Sequence, residues 1–263
     1  MDFGLEGRRA LVIASSKGIG KAIAMGLARE RMLVTINGRK EQPLEMTREE
    51  IALATGAMVF AVRADVSKTD EVQDMVKQAI QLMGGLDVLV TNAGGPVAGG
   101  FFDLEDSDWE RAFQTNLMSA VRAIRVAVPY LKESGQGRIV NLQSLGAKQP
   151  VPYVTLTNCI RAAIFGLNKE LADTLGKDNI TVNTVLAGPV PTERLDYLLS
   201  YRARKLNLSI EEMWQQALAG VPMGRFGTPE DVAAMCIFLA SRPAGWITGT
   251  VIQVDGGRCR AAL

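Results

Sequence analysis

The sequence predicts a single α/β domain over residues 1–263, built on a doubly wound, mostly parallel sheet of seven strands with a helical lid over one end. Three observations carry that prediction. Apolar runs and amphipathic helical stretches alternate from Arg9 to Val254. No Pro/Ser/Gly-rich linker or block of like charge divides the chain. A glycine-bearing turn joins the first apolar run to the first helical pattern, as it does where a parallel sheet meets a phosphate-bearing ligand.

In that turn Leu11, Val12 and Ile13 form a run suited to a strand buried on both faces. Ala14, Ser15, Ser16, Lys17, Gly18, Ile19 and Gly20 break it before Lys21 opens a helical pattern with Ile19, Ile23 and Leu27 on one face. Such a turn aims free backbone N–H groups and the positive end of a helix at one point, where a phosphate binds. An ordinary βα turn with glycines for close packing is the alternative. Leu33 to Asn37 makes the second strand and completes a right-handed βαβ unit. Just beyond such a second strand, a dinucleotide site presents a carboxylate to ribose hydroxyls or a cation to a 2′-phosphate. Here stand Asn37, Gly38, Arg39 and Lys40. With Lys17 in the turn and no acid, the pattern favours NADP over NAD, against the reading of solvated loop charges.

The remaining elements follow in order. Glu41 to Thr55 reads as a helix, Ala57 to Arg63 as the third strand, and Lys68 to Met83 as a helix with Val72, Met75, Val76, Ala79, Ile80 and Met83 on one side. Leu86 to Val90 is the fourth strand, running into Thr91-Asn92-Ala93-Gly94-Gly95, whose small side chains leave room for a ligand. A long helix is expected over Asp106 to Val128, a fifth strand over Gly137 to Leu142, and another helix over Val154 to Leu175. Thr181 to Leu186 is the sixth strand. Thr228 caps a last helix with Pro229 at its first position, and Val251 to Gly257 closes the sheet.

Composition narrows the function. Lys and Arg number 29 against 28 Asp and Glu, so no global charge attracts nucleic acid or an anionic membrane. No apolar run is long enough to span a bilayer. The acidic start, Met-Asp-Phe-Gly-Leu-Glu-Gly, lacks the pattern of a signal peptide, so a cytoplasmic location is expected. Cys159, Cys236 and Cys259 have no metal-like or disulfide-like spacing and read as packing residues. The chain has no histidine, which removes the commonest general base, the Ser/His/Asp arrangement and most zinc sites; no metal is expected.

Ala14 to Gly20, Asp65, Leu86-Asp87-Val88-Leu89-Val90 and Asn92-Ala93-Gly94 resemble the dinucleotide-binding half of the short-chain dehydrogenase/reductase family. That family has a Rossmann-type fold. Its first motif reads Thr-Gly-x-x-x-Gly-x-Gly, and Ile13-Ala14 replaces the leading pair here. Ala187-Gly188-Pro189-Val190-Pro191-Thr192 resembles the segment that flanks the nicotinamide, with Ala187 in place of its proline. The resemblance implies cofactor contacts from Ala14, Ser15, Ser16, Lys17, Gly18, Ile19 and Gly20, then Arg39, Asp65 and Val66, then Asn92, Ala93 and Gly94, and finally Gly188, Val190 and Thr192. It implies that Ser144 hydrogen-bonds the substrate carbonyl and that Asn116 supports a water in a proton relay. It also implies a homotetramer whose copies pack through the helices holding Asn116 and Arg161. The segment from Thr192 to Val221, rich in Leu and Tyr among charges, stands where the family covers its substrate, although a helical pair packed on the sheet edge fits the pattern as well.

The family's catalytic signature is a tyrosine with a lysine four residues later, the lysine lowering the phenol's pKa so that it exchanges a proton with the substrate oxygen. Counting from Ala162 to Leu167, and separately from Ser144, puts Thr157 in the tyrosine position and Arg161 in the lysine position. A threonine hydroxyl does not titrate near neutrality, and arginine does not pass a proton on. Tyr153 is the nearby phenol, although Pro150 and Pro152 set it in a loop. Three readings follow. One is an NADP(H)-dependent oxidoreductase on a carbonyl or acyl-thioester substrate, similar to the 3-oxoacyl-acyl-carrier-protein reductases, with its proton delivered through Ser144 and Asn116 or by Tyr153. The others are a nucleotide-binding protein with little turnover in a regulatory or assembly role, and a non-redox enzyme on the same fold.

Overall fold

The computed structural model describes residues 2–261, so residues 1, 262 and 263 of the expected domain lie outside the description. Seven strands form one sheet in the order β3-β2-β1-β4-β5-β6-β7. They are β1 (Arg9–Val12), β2 (Leu33–Gly38), β3 (Val59–Arg63), β4 (Val88–Thr91), β5 (Arg138–Ser144), β6 (Thr181–Ala187) and β7 (Val251–Val254). All six pairings are parallel, where a mostly parallel sheet was expected. The order reverses between β1 and β4, and a cleft opens there at the carboxyl ends of the strands.

Successive residues of a strand face opposite sides, and the core divides accordingly. Val12, Ile36 and Val90 meet α1 (Gly18–Arg29) and α10 (Pro229–Ala240) on one face. Leu11, Leu89 and Ile139 meet α3 (Thr69–Met83), α5 (Ser119–Glu133) and α7 (Ala163–Leu175) on the other. Each fully buried aliphatic side chain of these layers contributes roughly 1.5–3 kcal/mol by leaving water. α2 (Glu41–Thr55) covers the outer strands. Gly26 lets α1 approach α10 closely: a Cβ there would stand 2.3 Å from Ile237 Cδ1 and would push that side chain aside.

Two expected helices are interrupted, both beside the cleft. The stretch over Asp106 to Val128 is α4 (Asp106–Phe113), a wide π-helical turn over Gln114–Met118, and α5, which runs on to Glu133. Such a turn adds one residue, so the apolar stripe slips by one position and then resumes, a pattern that reads as one continuous helix; it often marks a functional position. The stretch over Val154 to Leu175 divides at Arg161 into α6 (Thr155–Ile160) and α7. The seventh strand stops at Val254, since Gly256 and Gly257 take φ of +64° and +81° and turn the chain away.

Candidate active site

Backbone geometry builds the first half of the cleft. Gly18 has φ +58°, and a Cβ on Gly20 would lie 2.6 Å from the carbonyl oxygen of Ala14, so neither position accepts an ordinary side chain. No side chain caps α1 and no acid stands in its first turn, which leaves its leading N–H groups facing the cleft. Ala14, in the place of the family's glycine, has φ +49°, a conformation that costs an alanine about 1–2 kcal/mol. Two asparagines hold it there: its N–H donates to Asn37 Oδ1 at 3.1 Å and its carbonyl accepts from Asn92 Nδ2 at 3.0 Å.

Ser15 departs from the expected contact set. It is fully buried away from the cleft, donating through Oγ to the Val12 carbonyl at 2.6 Å and accepting from Asn37 N–H at 3.0 Å. Its hydroxyl ties the end of β1 to β2, a structural role that a small polar residue serves in a tight turn. Ser16, Lys17, Gly18, Ile19 and Gly20 do line the cleft.

At the end of β2, Asn37 is buried, and its amide also donates to the Val62 carbonyl at 3.0 Å, so it is part of the frame. Arg39 beyond it lines the cleft and lies close enough to Asp65 to stabilise that carboxylate. Burial pushes Asp65 upward, but hydrogen bonds from Ser67 and the charges of Arg39 and Lys68 outweigh it and hold the carboxyl below its usual range. Val66 lines the wall beside it. Lys17 stands otherwise than expected: its ammonium is ion-paired with Glu193 at the start of the lid. Among the described residues that line this edge, Arg39 forms no ion pair with a carboxylate.

Side chains build the second half. Asn116, in the π-helical turn, donates to the Gly94 carbonyl at 2.8 Å, and Arg161 donates to the neighbouring Ala93 carbonyl at 2.8 Å. The wide turn is what brings Asn116 to this point, and its Oδ1 is buried without a protein partner. Arg161 also donates to Gln143 Oε1 at 2.9 Å and faces no carboxylate among the described residues. Burial, with the nearby charge of Arg194 added, pushes its guanidinium pKa down to about 10, so it stays charged at neutral pH. Ser144 and Thr157 meet across Gly146, whose added Cβ would stand 3.3 Å from Thr157 Cγ2 and 3.7 Å from Ser144 Oγ. Gly188, Val190 and Thr192 close the wall after β6; a Cβ on Gly188 would strike Asp255 Cα at 2.5 Å.

Tyr153 is not in this constellation. It takes φ +61°, does not line the cleft, and packs its ring 6.2 Å from that of Tyr201. The loop set by Pro150 and Pro152 carries it outward. No tyrosine lines the cleft among the described residues.

The segment read as a lid is a helical pair, α8 (Glu193–Leu206) and α9 (Ile210–Ala219), with a small core of its own around Leu199, Ala203 and Met213. The pair packs internally and also lines the cleft with Leu195, Leu198 and Leu199. Its far side is pinned by Lys205 to Asp103 at 2.7 Å and by Tyr197 Oη, which accepts from Ala98 N–H at 3.1 Å. Sequence reasoning missed Gln143 as the partner of Arg161, and missed the arginines Arg194, Arg202 and Arg258, which all line the cleft. Arg194 and Arg202 fall on the same helical stripe as Leu195, Leu198 and Leu199, a signal present in the spacing; Arg258 comes from the tail beyond β7 and carried none.

Together these surfaces enclose one cavity of about 900 Å³, continuous from the glycine turn to the lid. Open α/β sheets bind their ligands in such a cleft at the switch point. Residues 13–258 match the family described as enoyl-(acyl carrier protein) reductase. The chain is 33% identical over 265 residues to the uncharacterized oxidoreductase YvrD of Bacillus subtilis, covering 99% of this chain and 100% of that protein. It is 35% identical over 252 residues to a 3-oxoacyl-acyl-carrier-protein reductase of Staphylococcus aureus, covering 95% and 97%. Among solved structures, L-sorbose reductase from Gluconobacter frateurii, complexed with NADPH and L-sorbose, superposes with a TM-score of 0.93 at 30% identity, covering 99% of this chain and 100% of that one. The chain belongs to the short-chain dehydrogenase/reductase family, an oxidoreductase family.

Proposed function

We propose that the protein is an NADP(H)-dependent oxidoreductase acting on a carbonyl/alcohol pair. The observation that carries this reading is the edge of the cleft after β2, where Arg39 lines the wall and no carboxylate stands at residues 37–40. The residues present fit the cofactor. Orphan N–H groups at the start of α1 suit the pyrophosphate, Arg39 the 2′-phosphate, Asp65 and Val66 the adenine edge, and the walls at Asn92–Gly94 and Gly188–Thr192 the nicotinamide end. That the similar L-sorbose reductase binds NADPH supports the same choice.

When bound, the nicotinamide supplies or accepts the hydride. The chain's own part is to place the substrate oxygen and to manage charge on it. Ser144, whose Oγ accepts from Gly146 N–H, offers a hydroxyl donor at the wall beside the Thr157 methyl, and buried Arg161 supplies a fixed positive charge near that point. Thr157 is too weak an acid to supply the proton itself, and Arg161 holds its own. The resemblance implies delivery from solvent by way of Ser144 and the polar pocket at Asn116, and the buried Oδ1 of Asn116, which has no protein partner, leaves an acceptor there for it. With Thr157 and Arg161 in place of a tuned phenol, reduction is slow for simple ketones. This same lack of a phenol favours, as the second reading, a family member that binds nucleotide and turns over little. We also place the protein in the cytoplasm as a homotetramer, its copies meeting through α4–α5 and α6–α7, where Phe113 and Gly166 are exposed. No helix among the described residues is long and apolar enough to cross a membrane.

The test is titration of the purified protein with NADPH and NADH by nicotinamide fluorescence, then NADPH consumption with ketones and 3-oxoacyl thioesters. Tighter binding of NADPH with measurable oxidation supports the first reading. Tight binding with no oxidation moves the function to the second. Equal affinity for NADPH and NADH overturns the cofactor assignment.

A further inference from the structure

The cleft holds more positive charge than its own carboxylates neutralise, and the excess is not spread evenly. Glu193 takes Lys17, Asp108 takes Arg111, and Asp65 lies by Arg39. Arg161, Arg194, Arg202 and Arg258 line the same cavity and form no ion pair with a carboxylate among the described residues. The first two flank the strand-end segment at Ala93 and Gly95, on the cofactor side: a Cβ on Gly95 would lie 2.3 Å from Arg194 Nε. Arg202 and Arg258 lie farther under the lid. Arg202 is on α8 about 12 Å of helix rise beyond Arg194, and its Nε is buried without a partner. Arg258 reaches up from the tail, and its guanidinium fills the space that only glycine leaves at Gly220, since a Cβ there would lie 1.2 Å from Nη1.

Two like charges brought together under a roof of Leu195, Leu198 and Leu199 repel each other and lose hydration. Burial depresses the Arg202 guanidinium and the charge of Arg258 depresses it further. An oxyanion placed between them removes both penalties at once, because a guanidinium fork matches a carboxylate or phosphate in plane and spacing.

We infer that the substrate end of the cleft takes a small organic anion, a carbonyl or alcohol compound whose carboxylate or phosphate sits between Arg202 and Arg258 while its reacting carbon lies at Ser144. This deepens the oxidoreductase reading and rests on it for the identity of the reacting carbon. The anion site itself stands on the arginines alone. Arg194, one of the lining residues on the same helix as Arg202, adds positive charge on the cofactor side. A neutral sugar or ketone would leave Arg202 and Arg258 facing each other without relief, and is discriminated against.

Matched probes test this: levulinate against methyl levulinate, and dihydroxyacetone phosphate against dihydroxyacetone, each titrated calorimetrically into the full-length protein with and without saturating NADPH. At least one anion should bind about tenfold or more tightly than its neutral partner, and the carboxylate and phosphate arms tell which oxyanion is preferred. Arg202→Gln and Arg258→Gln should each remove that preference while neutral-probe and NADPH affinities hold. Gly220→Ala, which displaces Arg258 without touching its charge, should reproduce the Arg258→Gln loss. Equal affinity within both pairs, or no binding by either anion, overturns the inference. So does a matching loss of NADPH affinity in both arginine variants, which would assign the pair to the cofactor. Failure of the native protein to bind NADPH would instead strike the oxidoreductase reading, and the titrations without cofactor still decide the anion site.

Discussion

The two halves of the cleft are built from different materials. From β1 to β4 the surface is mostly backbone: Gly18 at positive φ, Gly20 pressed on the Ala14 carbonyl, and the strand end at Asn92–Gly94. From α4 onward it is mostly side chain: Asn116, Gln143, Ser144, Thr157 and Arg161, then the arginines of the lid and tail. A backbone surface tolerates few substitutions, because a Cβ in the wrong place strikes main chain. A side-chain surface changes its chemistry with each residue while the fold stands. This contrast is what allows one chain to keep a backbone-built first half while its second half carries Thr157 and Arg161 at the positions that the family resemblance assigns to tyrosine and lysine.

The largest expected effect lies in the second half. If chemistry is set there by side chains alone, Thr157→Tyr combined with Arg161→Lys should raise the turnover of a simple ketone by a factor of about 10² to 10⁴, the usual contribution of a general acid. NADPH consumption under saturating cofactor is the measurement. Tyr153→Phe should leave both turnover and NADPH affinity unchanged, because that ring lies outside the cleft beside Tyr201. A native activity that is robust and lost on Tyr153→Phe would mean that the loop folds inward during turnover and that the phenol is the acid after all. An unchanged rate in the double variant would show that the second half limits turnover through substrate positioning instead.

A middle-sized effect belongs to the seam between the halves and the nucleotide. Arg39→Ala should weaken NADPH at least tenfold and leave NADH nearly unchanged, since a charge-assisted contact to phosphate contributes about 1.5–3 kcal/mol. Lys17→Ala should do less. Its ammonium is engaged by Glu193, and both groups are more than two-thirds exposed, so solvent and salt already weaken what they offer. A Lys17 loss as large as that of Arg39 would show the ion pair opening to serve the cofactor.

The same contrast decides what could be read in advance. The alternation of elements and the glycine turn were legible because backbone surfaces need particular residues, and Gly18 and Gly20 announce them. Ser15 shows the limit of that signal: a small polar residue in the turn fits a ligand contact and a frame contact equally, and its hydroxyl is engaged with Val12 and Asn37. In the second half, Ser144 and Asn116 came from resemblance, but the turn that aims Asn116 is a π-helical one that shows in the sequence only as a one-residue slip of the apolar stripe. Arg258 lies more than 50 residues from Arg202 in the chain, and nothing local couples a tail to a lid; the pairing exists because β7 returns the chain to the mouth of the cleft.

The smallest effect tests whether the first half is as backbone-bound as this comparison holds. Ala14 occupies a left-handed conformation at φ +49° in a place where the family has glycine. Its strain is borne by two side-chain bonds, from Asn37 on β2 and Asn92 beyond β4, which accept its N–H and bind its carbonyl. Ala14→Gly removes the Cβ that makes this φ costly, about 1–2 kcal/mol in the folded state, and gives back part of that through the greater freedom of glycine in the unfolded chain. The net should be a gain of roughly 1 kcal/mol, a rise in Tm of about 2–4 °C for a domain of this size. Since the variant leaves the cradle's shape alone, NADPH affinity should not move. A Tm that falls would mean that the Ala14 methyl contributes more by packing beside Ile13 than its φ costs, and that side chains govern this half of the cleft as well.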